Sequence, residues 1–195
     1  ATGCGPALRM RSPDILPEGD VEVGAGFGLA GDLQTRGPGG AEVQAWLRGS
    51  PNPFTEVGGR FWTHSLNTFG GAFELRFQPV RRPVALSIDL GLLAAGCCGA
   101  GDRNHTLAAG AGFDIGLTFG GRIGGDFGPA PYVAPHFQMT WTFPPDNDWP
   151  KLMFVPIGVD IPLGKSPFHL RPEFLTTVLL YETIDPQVRL GGGIG

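Results

Sequence analysis

Lysine is almost missing from this sequence, with Lys151 and Lys165 as its two examples. Only 16% of the 195 residues are charged, whereas about 25% is usual for a globular domain. A soluble β-protein needs a hydrated outer face rich in lysine and glutamate, and this chain has little material for one. The net charge of −4 and the lack of a basic cluster beyond Arg81 and Arg82 exclude a nucleic-acid partner.

Long apolar runs are also missing. No stretch approaches the roughly 18 apolar residues that indicate a membrane-spanning helix. A membrane β-barrel would escape this test, because its strands alternate between lipid-facing and lumen-facing residues and each strand of about ten residues gives a weak signal. We therefore looked for alternation that repeats along the chain.

Alternation is clear in residues 20–31, DVEVGAGFGLAG, where valine, alanine, phenylalanine and leucine share one face and Glu22 lies on the other with glycines. The same pattern predicts ten strands of the kind that alternate apolar and polar residues. They are residues 20–30, 40–48, 55–64, 71–78, 83–93, 106–119, 130–143, 151–162, 167–180 and 187–195.

The two faces of these strands differ in chemistry. The apolar face is continuous from strand to strand and carries large aromatic residues towards the strand ends. The other face mixes acids and bases, with glycines between them, and we expect it to form a charge network inside a lumen. This predicted network comprises Glu22, Glu42, Arg48, Glu56, Arg60, Glu74, Arg76, Asp89, Asp114, Asp160, Arg171, Glu173 and Arg189.

These observations predict an all-β fold, an up-and-down antiparallel transmembrane β-barrel of about ten strands, with eight as the alternative. The connectors favour it, because three of the four turns assigned to one end are tight and the connectors at the other end include two long ones, residues 31–39 and AAGCCGAGDRNH. A soluble lipocalin-like barrel, which would place the apolar face inside, is the less favoured alternative.

The pattern resembles the small bacterial outer-membrane β-barrel families of eight to ten strands. The resemblance covers about residues 20–195 and includes sequence stretches such as VEVGAGFG and PFHLRPEF. It implies a place in the outer membrane of a Gram-negative bacterium, membrane lipids and lipopolysaccharide as partners, and other outer-membrane or periplasmic subunits as further ones. Such barrels usually end in an aromatic residue, whereas this sequence stops at VRLGGGIG. Either the chain continues beyond Gly195 or the assignment is wrong.

Residues 1–19 are predicted to be an N-terminal tether, and residues 20–195 a single barrel domain. The opening ATGC resembles the end of a bacterial lipoprotein signal, which would make Cys4 a lipidation site. The match is imperfect, because leucine usually stands where Ala1 stands. An ordinary leader with a stray cysteine is therefore the equal alternative.

Cys97 and Cys98 are adjacent in what we predict to be a glycine-rich loop, with Asp102 and His105 nearby. Their spacing matches no structural zinc pattern, so we predict no metal and no cofactor. A strained disulfide between the two, in an oxidising compartment, is the interpretation we favour.

One arrangement suggests chemistry. His64 and Ser65, with Glu74 on the next strand, resemble the His-x-Ser and carboxylate set of lipid A deacylases, which are small barrels. Here His64 and Ser65 are adjacent, so the pleat sends them to opposite faces and no nucleophile–base pair forms. We expect no enzyme, with a lipid A-modifying activity as a less favoured alternative.

Two non-enzymatic functions stay open, because the fold does not decide between them. One is a barrel with a polar, largely plugged lumen that serves as a structural or interaction component of the outer membrane, or of a complex in it. The other is a narrow channel for ions or small solutes. The crowding of Arg, Glu, Trp and His on the inner face favours the plugged barrel.

Overall fold

The computed structural model describes residues 8–32, 40–64, 68–81, 84–98, 107–125, 127–143, 151–179 and 187–194. These residues form an all-β fold. In chain order the strands are β1 (Val21–Asp32), β2 (Gly40–Asn52), β3 (Thr55–His64), β4 (Thr68–Val80), β5 (Ala85–Cys98), β6 (Leu107–Gly120), β7 (Ala130–Val133), β8 (His136–Phe143), β9 (Lys151–Pro162), β10 (His169–Leu179) and β11 (Gln187–Ile194).

The sheet is antiparallel and follows an up-and-down order in which each strand pairs with its neighbours in the chain, except that β7 and β8 do not pair with each other. Strand β11 also pairs with β1, with Leu190 opposite Leu29. Each described strand therefore has hydrogen-bonded partners on both sides. We call this arrangement the ring of strands. Within the described residues no helix has the length and apolar character needed to cross a membrane.

Strands β7 and β8 behave as one strand with a short interruption. Both pair with β6 on one side and with β9 on the other. Along β6, Phe119 faces Val133 and Gly116 faces His136. These two pairs are three residues apart on β6 and also three residues apart on the partner, so the register is the same before and after the break. Pro135 lies in the break and has no N–H to give to the sheet. The seventh predicted strand, 130–143, therefore corresponds to this pair.

Alternation explains the strands, as the burial of β2 illustrates. Glu42, Gln44 and Trp46 are buried, whereas Val43 and Leu47, on the other face of the strand, are 51% and 56% exposed. The ten predicted strands correspond to the observed ones, and the differences lie at their ends. The largest difference is in β5, which was predicted to end at residue 93 and continues to Cys98.

Glycines on the inner face lie directly opposite large side chains of the next strand. Trp62 faces Gly70 and His136 faces Gly116 across their strand pairs. A Cβ atom added at either glycine would overlap the ring opposite. The absence of a side chain at these positions therefore gives the bulky inner residues their space.

The described turns gather at one end of the ring, which we call the turn end. The β2–β3 turn needs only Pro53 and Phe54 between strands, and the Phe54 N–H donates to Asn52 Oδ1 at 2.9 Å. In the β9–β10 turn Gly164 has a φ of 69°, which glycine tolerates without strain. Most residues of the connectors at the opposite end lie outside the described residues.

Candidate functional site

The candidate site is the interior of the ring, where most of the predicted charge network lies. Eleven of its members are 6% exposed or less, and Glu22 is partly buried. The side chain of Arg189 lies outside the described residues. The eleven are Glu42, Arg48, Glu56, Arg60, Glu74, Arg76, Asp89, Asp114, Asp160, Arg171 and Glu173.

Near the turn end, Arg171 joins the carboxylates of two other strands. Its Nη1 and Nη2 donate to the two oxygens of Glu22 at 2.7 and 2.6 Å, and its Nε donates to Asp160 Oδ1 at 2.8 Å. The paired contacts with Glu22 have the bidentate geometry that makes Arg–carboxylate hydrogen bonds strong. Trp46 Nε1 also donates to Glu22, at 2.7 Å.

A second charged cluster lies deeper in the ring around Glu74, Asp89 and Asp114. Arg60 contacts Glu74 at 3.2 Å, and Arg76 contacts Asp89 at 3.1 Å. His136 lies between the two aspartates, 3.6 Å from a carboxylate oxygen of each. These residues come from strands β3 to β6 and β8, so the cluster forms only when the strands curve towards one another.

The N-terminal segment completes this second cluster. Residues 8–16, which we call the inner segment, form no strand and lie inside the ring. Arg9 pairs with Glu74 at 2.8 Å and also with Asp114, and Arg11 pairs with Asp89 at 3.1 Å and also with Glu74. Sequence analysis predicted a tether in this part of the chain and did not anticipate these contacts.

Side chains of the ring also satisfy the backbone of the inner segment. The N–H groups of Arg9 and Met10 donate to the carboxylate of Glu173 at 2.6 and 2.7 Å. Arg60 Nη1 donates to the Leu8 carbonyl at 2.6 Å. Buried backbone groups need such partners, and here side chains replace the neighbouring strands that normally supply them. Further bonds of this kind link Arg48 to Arg9, Arg76 to Ser12 and Pro13, and Gln78 to Pro13 and Ile15.

Apolar contacts hold the N-terminal part of the inner segment, which is the part farthest from β1. Leu8 and Met10 pack in one buried cluster with Trp46, Phe154 and Leu175. All five are 3% exposed or less. The interior is therefore mostly charged, but it also contains a small apolar core to which the inner segment contributes.

The inner segment runs from the turn end towards the opposite end. The Leu16 N–H donates to Glu56, the second residue of β3, at 3.3 Å. At the other extreme the Leu8 N–H donates at 3.0 Å to Glu42, which faces His64, the last residue of β3. Nine extended residues span at most about 30 Å, which agrees with this path.

The charges of the ring are unbalanced, and the inner segment offsets part of the difference. Among the described inward-facing residues of the strands, eight are acidic and four are arginines. The acids are Glu22, Glu42, Glu56, Glu74, Asp89, Asp114, Asp160 and Glu173, and the arginines are Arg48, Arg60, Arg76 and Arg171. Arg9 and Arg11 add two positive charges where three of the carboxylates meet.

The structure does not bring the predicted deacylase-like residues together. His64 faces Thr68 and Glu74 faces Gly58, so the two lie six residues apart along the β3–β4 hairpin, about 20 Å. Glu74 is engaged by Arg9, Arg11 and Arg60 instead. Ser65 lies outside the described residues.

The cysteine predictions have a mixed outcome. Cys97 and Cys98 were placed in a loop, but their backbones belong to β5 and pair with Ala108 and Leu107 of β6. That placement is corrected, because the β5–β6 ladder continues past the predicted strand end. The side chains of both cysteines lie outside what the structure describes, as does Cys4, so the disulfide and lipidation stay predictions.

Sequence reasoning missed the inner segment, although one signal was present. The inward face carries more acids than bases, and the leader contains arginines at positions 9 and 11. An excess of buried carboxylates needs positive partners, because an unpaired buried charge is strongly destabilising. Arg9 and Arg11 were two of several arginines outside the predicted network that could have supplied this charge.

No protein-family model matches this sequence, and no curated protein matches it either. The function is therefore argued from the chemistry of the two strand faces and of the interior.

Proposed function

We propose that the ring of strands is a transmembrane β-barrel of the bacterial outer membrane. Its lumen is polar and plugged, and the protein serves as a structural or interaction component of that membrane or of a complex in it. The observation that carries this proposal is that the outer face of the strands is apolar and the inner face is charged, which is the reverse of a soluble barrel. Val23 and Leu92 are 71% and 65% exposed, whereas Arg76 and Arg171 are each 1% exposed.

The apolar outer face supports lipid as the surrounding medium. Exposed large hydrophobic residues occur on strands all around the ring, among them Phe27, Val43, Phe61, Phe73, Leu92, Leu117, Ile157 and Phe174. The largest apolar patch on a soluble monomer is usually about 300–600 Å², and a belt that includes exposed residues of β1 to β7 and β9 to β11 exceeds what such proteins expose. Moving this surface from water into lipid favours the inserted protein by about 25 cal/mol per Å².

The paired backbone supports the same conclusion. Lipid offers no hydrogen-bond partners, so a sheet can cross a membrane only when none of its edges is left open. The pairing of β11 with β1 meets that requirement among the described strands. Outer-membrane barrels place their short turns at the periplasmic side, so the turn end is assigned to that side.

The filled interior favours a plugged barrel over an open channel. An eight-stranded barrel has an interior just wide enough for its own side chains, and the diameter grows with strand number. Ten strands leave additional space, and the inner segment lies in it. Contacts of this segment with Glu42, Glu74, Asp114 and Glu173 reach across the ring.

The test is membrane insertion of the full chain. We expect the purified protein to need detergent or lipid, to float with liposomes after washing in urea, and to migrate differently on gels before and after heating. In planar bilayers the inserted protein is expected to show no reproducible open steps. Recovery of a stable monomer without detergent would overturn the membrane assignment, and steady conductance steps would overturn the plugged lumen.

A further inference from the structure

The inner segment is held differently from every strand of the ring. Residues 8–16 belong to no strand, and their described contacts are ion pairs, side chain–backbone bonds, one apolar cluster and the contact of Arg9 with the Phe154 ring. The ring pairs strand to strand without them. Withdrawal of the segment would therefore leave the backbone hydrogen bonds of the sheet intact.

The interior around this segment is incompletely satisfied. Both polar atoms of the Gln44 side chain, the Nε atoms of Arg9 and Arg11 and both ring nitrogens of His136 are buried without a hydrogen-bond partner among the described residues. A rigid protein core leaves few such groups unpaired, and buried polar groups that lack protein partners commonly bind water. This pattern favours a hydrated interior from which a polar segment can leave.

Withdrawal would expose an acidic surface. Arg60 would stay with Glu74 and Arg76 with Asp89, but Asp114 would keep only His136 of its described ion-pair partners. Among the described side chains of the strands, eight inward carboxylates face four arginines, so these side chains give the path a negative charge. Rings of Asp and Glu side chains select cations in membrane pores.

We propose that residues 8–16 are a removable plug, and that the passage they fill conducts small cations when they leave. This inference rests on the proposed function, because it requires the ring to cross a membrane. The plug is attached through the exposed residues Pro17 to Gly19 at the turn end, so it would be withdrawn on the side assigned to the periplasm. The vacated passage has about the cross-section of one extended chain.

The first experiment repels the plug by charge. In the full chain, the double variant Arg9→Glu with Arg11→Glu places like charges against Glu74, Asp89 and Asp114. The matched control is Arg81→Glu with Lys165→Glu, which makes the same charge change at exposed turn residues. In planar bilayers with a KCl gradient we expect the plug variant to show open steps that are several-fold more permeable to K⁺ than to Cl⁻. The wild type and the control are expected to stay closed.

A synthetic peptide supplies an independent readout. Residues 5–16 as a free peptide should block the open variant in a concentration-dependent way, and the same peptide carrying both glutamates should not. An open variant that prefers Cl⁻ or has no preference would overturn the acidic path. An open variant that ignores the native peptide would overturn the assignment of residues 8–16 as its plug.

A second variant covers the case in which charge reversal prevents folding. A protease site inserted between Pro17 and Glu18 lies in an exposed stretch, so the wild-type interior can form before it is cut. Cleavage of the inserted protein, followed by a high-salt wash, should open cation-selective steps. The same site between Lys165 and Ser166, in the exposed β9–β10 turn, should leave the protein closed after cleavage.

The outcomes separate this inference from the proposed function. Cleaved protein that still floats with liposomes and shifts on heating, but shows no steps after the wash, overturns the removable plug and leaves the barrel standing. Wild-type protein that fails to enter liposomes overturns the proposed function, and the inference falls with it.

Discussion

The two faces of the same strands meet opposite surroundings, and β5 shows the contrast within a few residues. Leu90 and Leu92 are 44% and 65% exposed. Asp89, directly before Leu90, is 1% exposed and is bound by Arg76, Arg11 and Thr118. A soluble barrel would reverse this distribution. The contrast teaches that the side of a strand that contains charge is the enclosed side, and this is the basis on which we propose an apolar outer medium.

The largest expected effect comes from breaking the inner face. Arg171→Leu removes the guanidinium shared by Glu22 and Asp160, and truncating one member of a buried ion pair costs about 3–5 kcal/mol. The control is Lys165→Leu in the exposed β9–β10 turn, where we expect little change. The free energy of unfolding, measured in urea with lipid vesicles, checks both. Equal losses for the two variants would mean that Arg171 faces water.

A charge placed on the outer face should destabilise the protein more when it lies near the middle of a strand than when it lies near a strand end. Leu92→Arg places a guanidinium near the middle of β5, where an arginine facing lipid costs about 2–4 kcal/mol. Val84→Arg lies just before the start of the same strand and should cost about 0–1 kcal/mol, because the proposed barrel has this position near the membrane interface. The yield of folded protein in vesicles and its urea midpoint report the difference. No dependence on depth would contradict a lipid-facing belt.

A smaller effect is expected from the glycines that accommodate inner side chains. Gly70→Ala drives a methyl group into the Trp62 ring, which is buried and lies 5.2 Å from the Arg60 guanidinium carbon. Overpacking of this kind costs about 1–3 kcal/mol. Gly71→Ala is the matched control, because its nearest neighbour is the Arg60 carbonyl oxygen at the ordinary contact distance of 3.6 Å. The midpoint of heat-induced unfolding in detergent should fall for Gly70→Ala and stay close to wild type for Gly71→Ala.

The sequence was sufficient to predict the strands because alternation is local. A residue such as Gln44 lies between Val43 and Ala45, and its inward position follows from the pleat alone. Strand ends were less predictable, since β5 continues through Ala94, Ala95 and Gly96, where small residues weaken the alternation. The β7–β8 break at Pro135 likewise depends on one missing N–H and leaves the pattern of the strand intact.

The interior was harder to predict because its contacts are long-range. Arg9 meets Glu74, Asp114 and Glu173, which lie 65, 105 and 164 residues further along the chain. No periodic pattern marks residues 8–16, because the segment has no strand partner whose spacing could be recognised. Only the excess of inward acids pointed to a missing positive partner, and that excess did not specify which arginines supply it.

Lipid contact on the outer face is the central claim, and fluorescence quenching tests it most directly. Single cysteines replace Leu92 and Ser166 in a background with Cys4, Cys97 and Cys98 changed to serine, and each carries a fluorophore. In vesicles the label at Leu92 should be quenched by brominated lipids and not by iodide, and the label at Ser166 in the turn should show the reverse. Quenching of the Leu92 label by iodide, without any response to brominated lipids, would contradict the account.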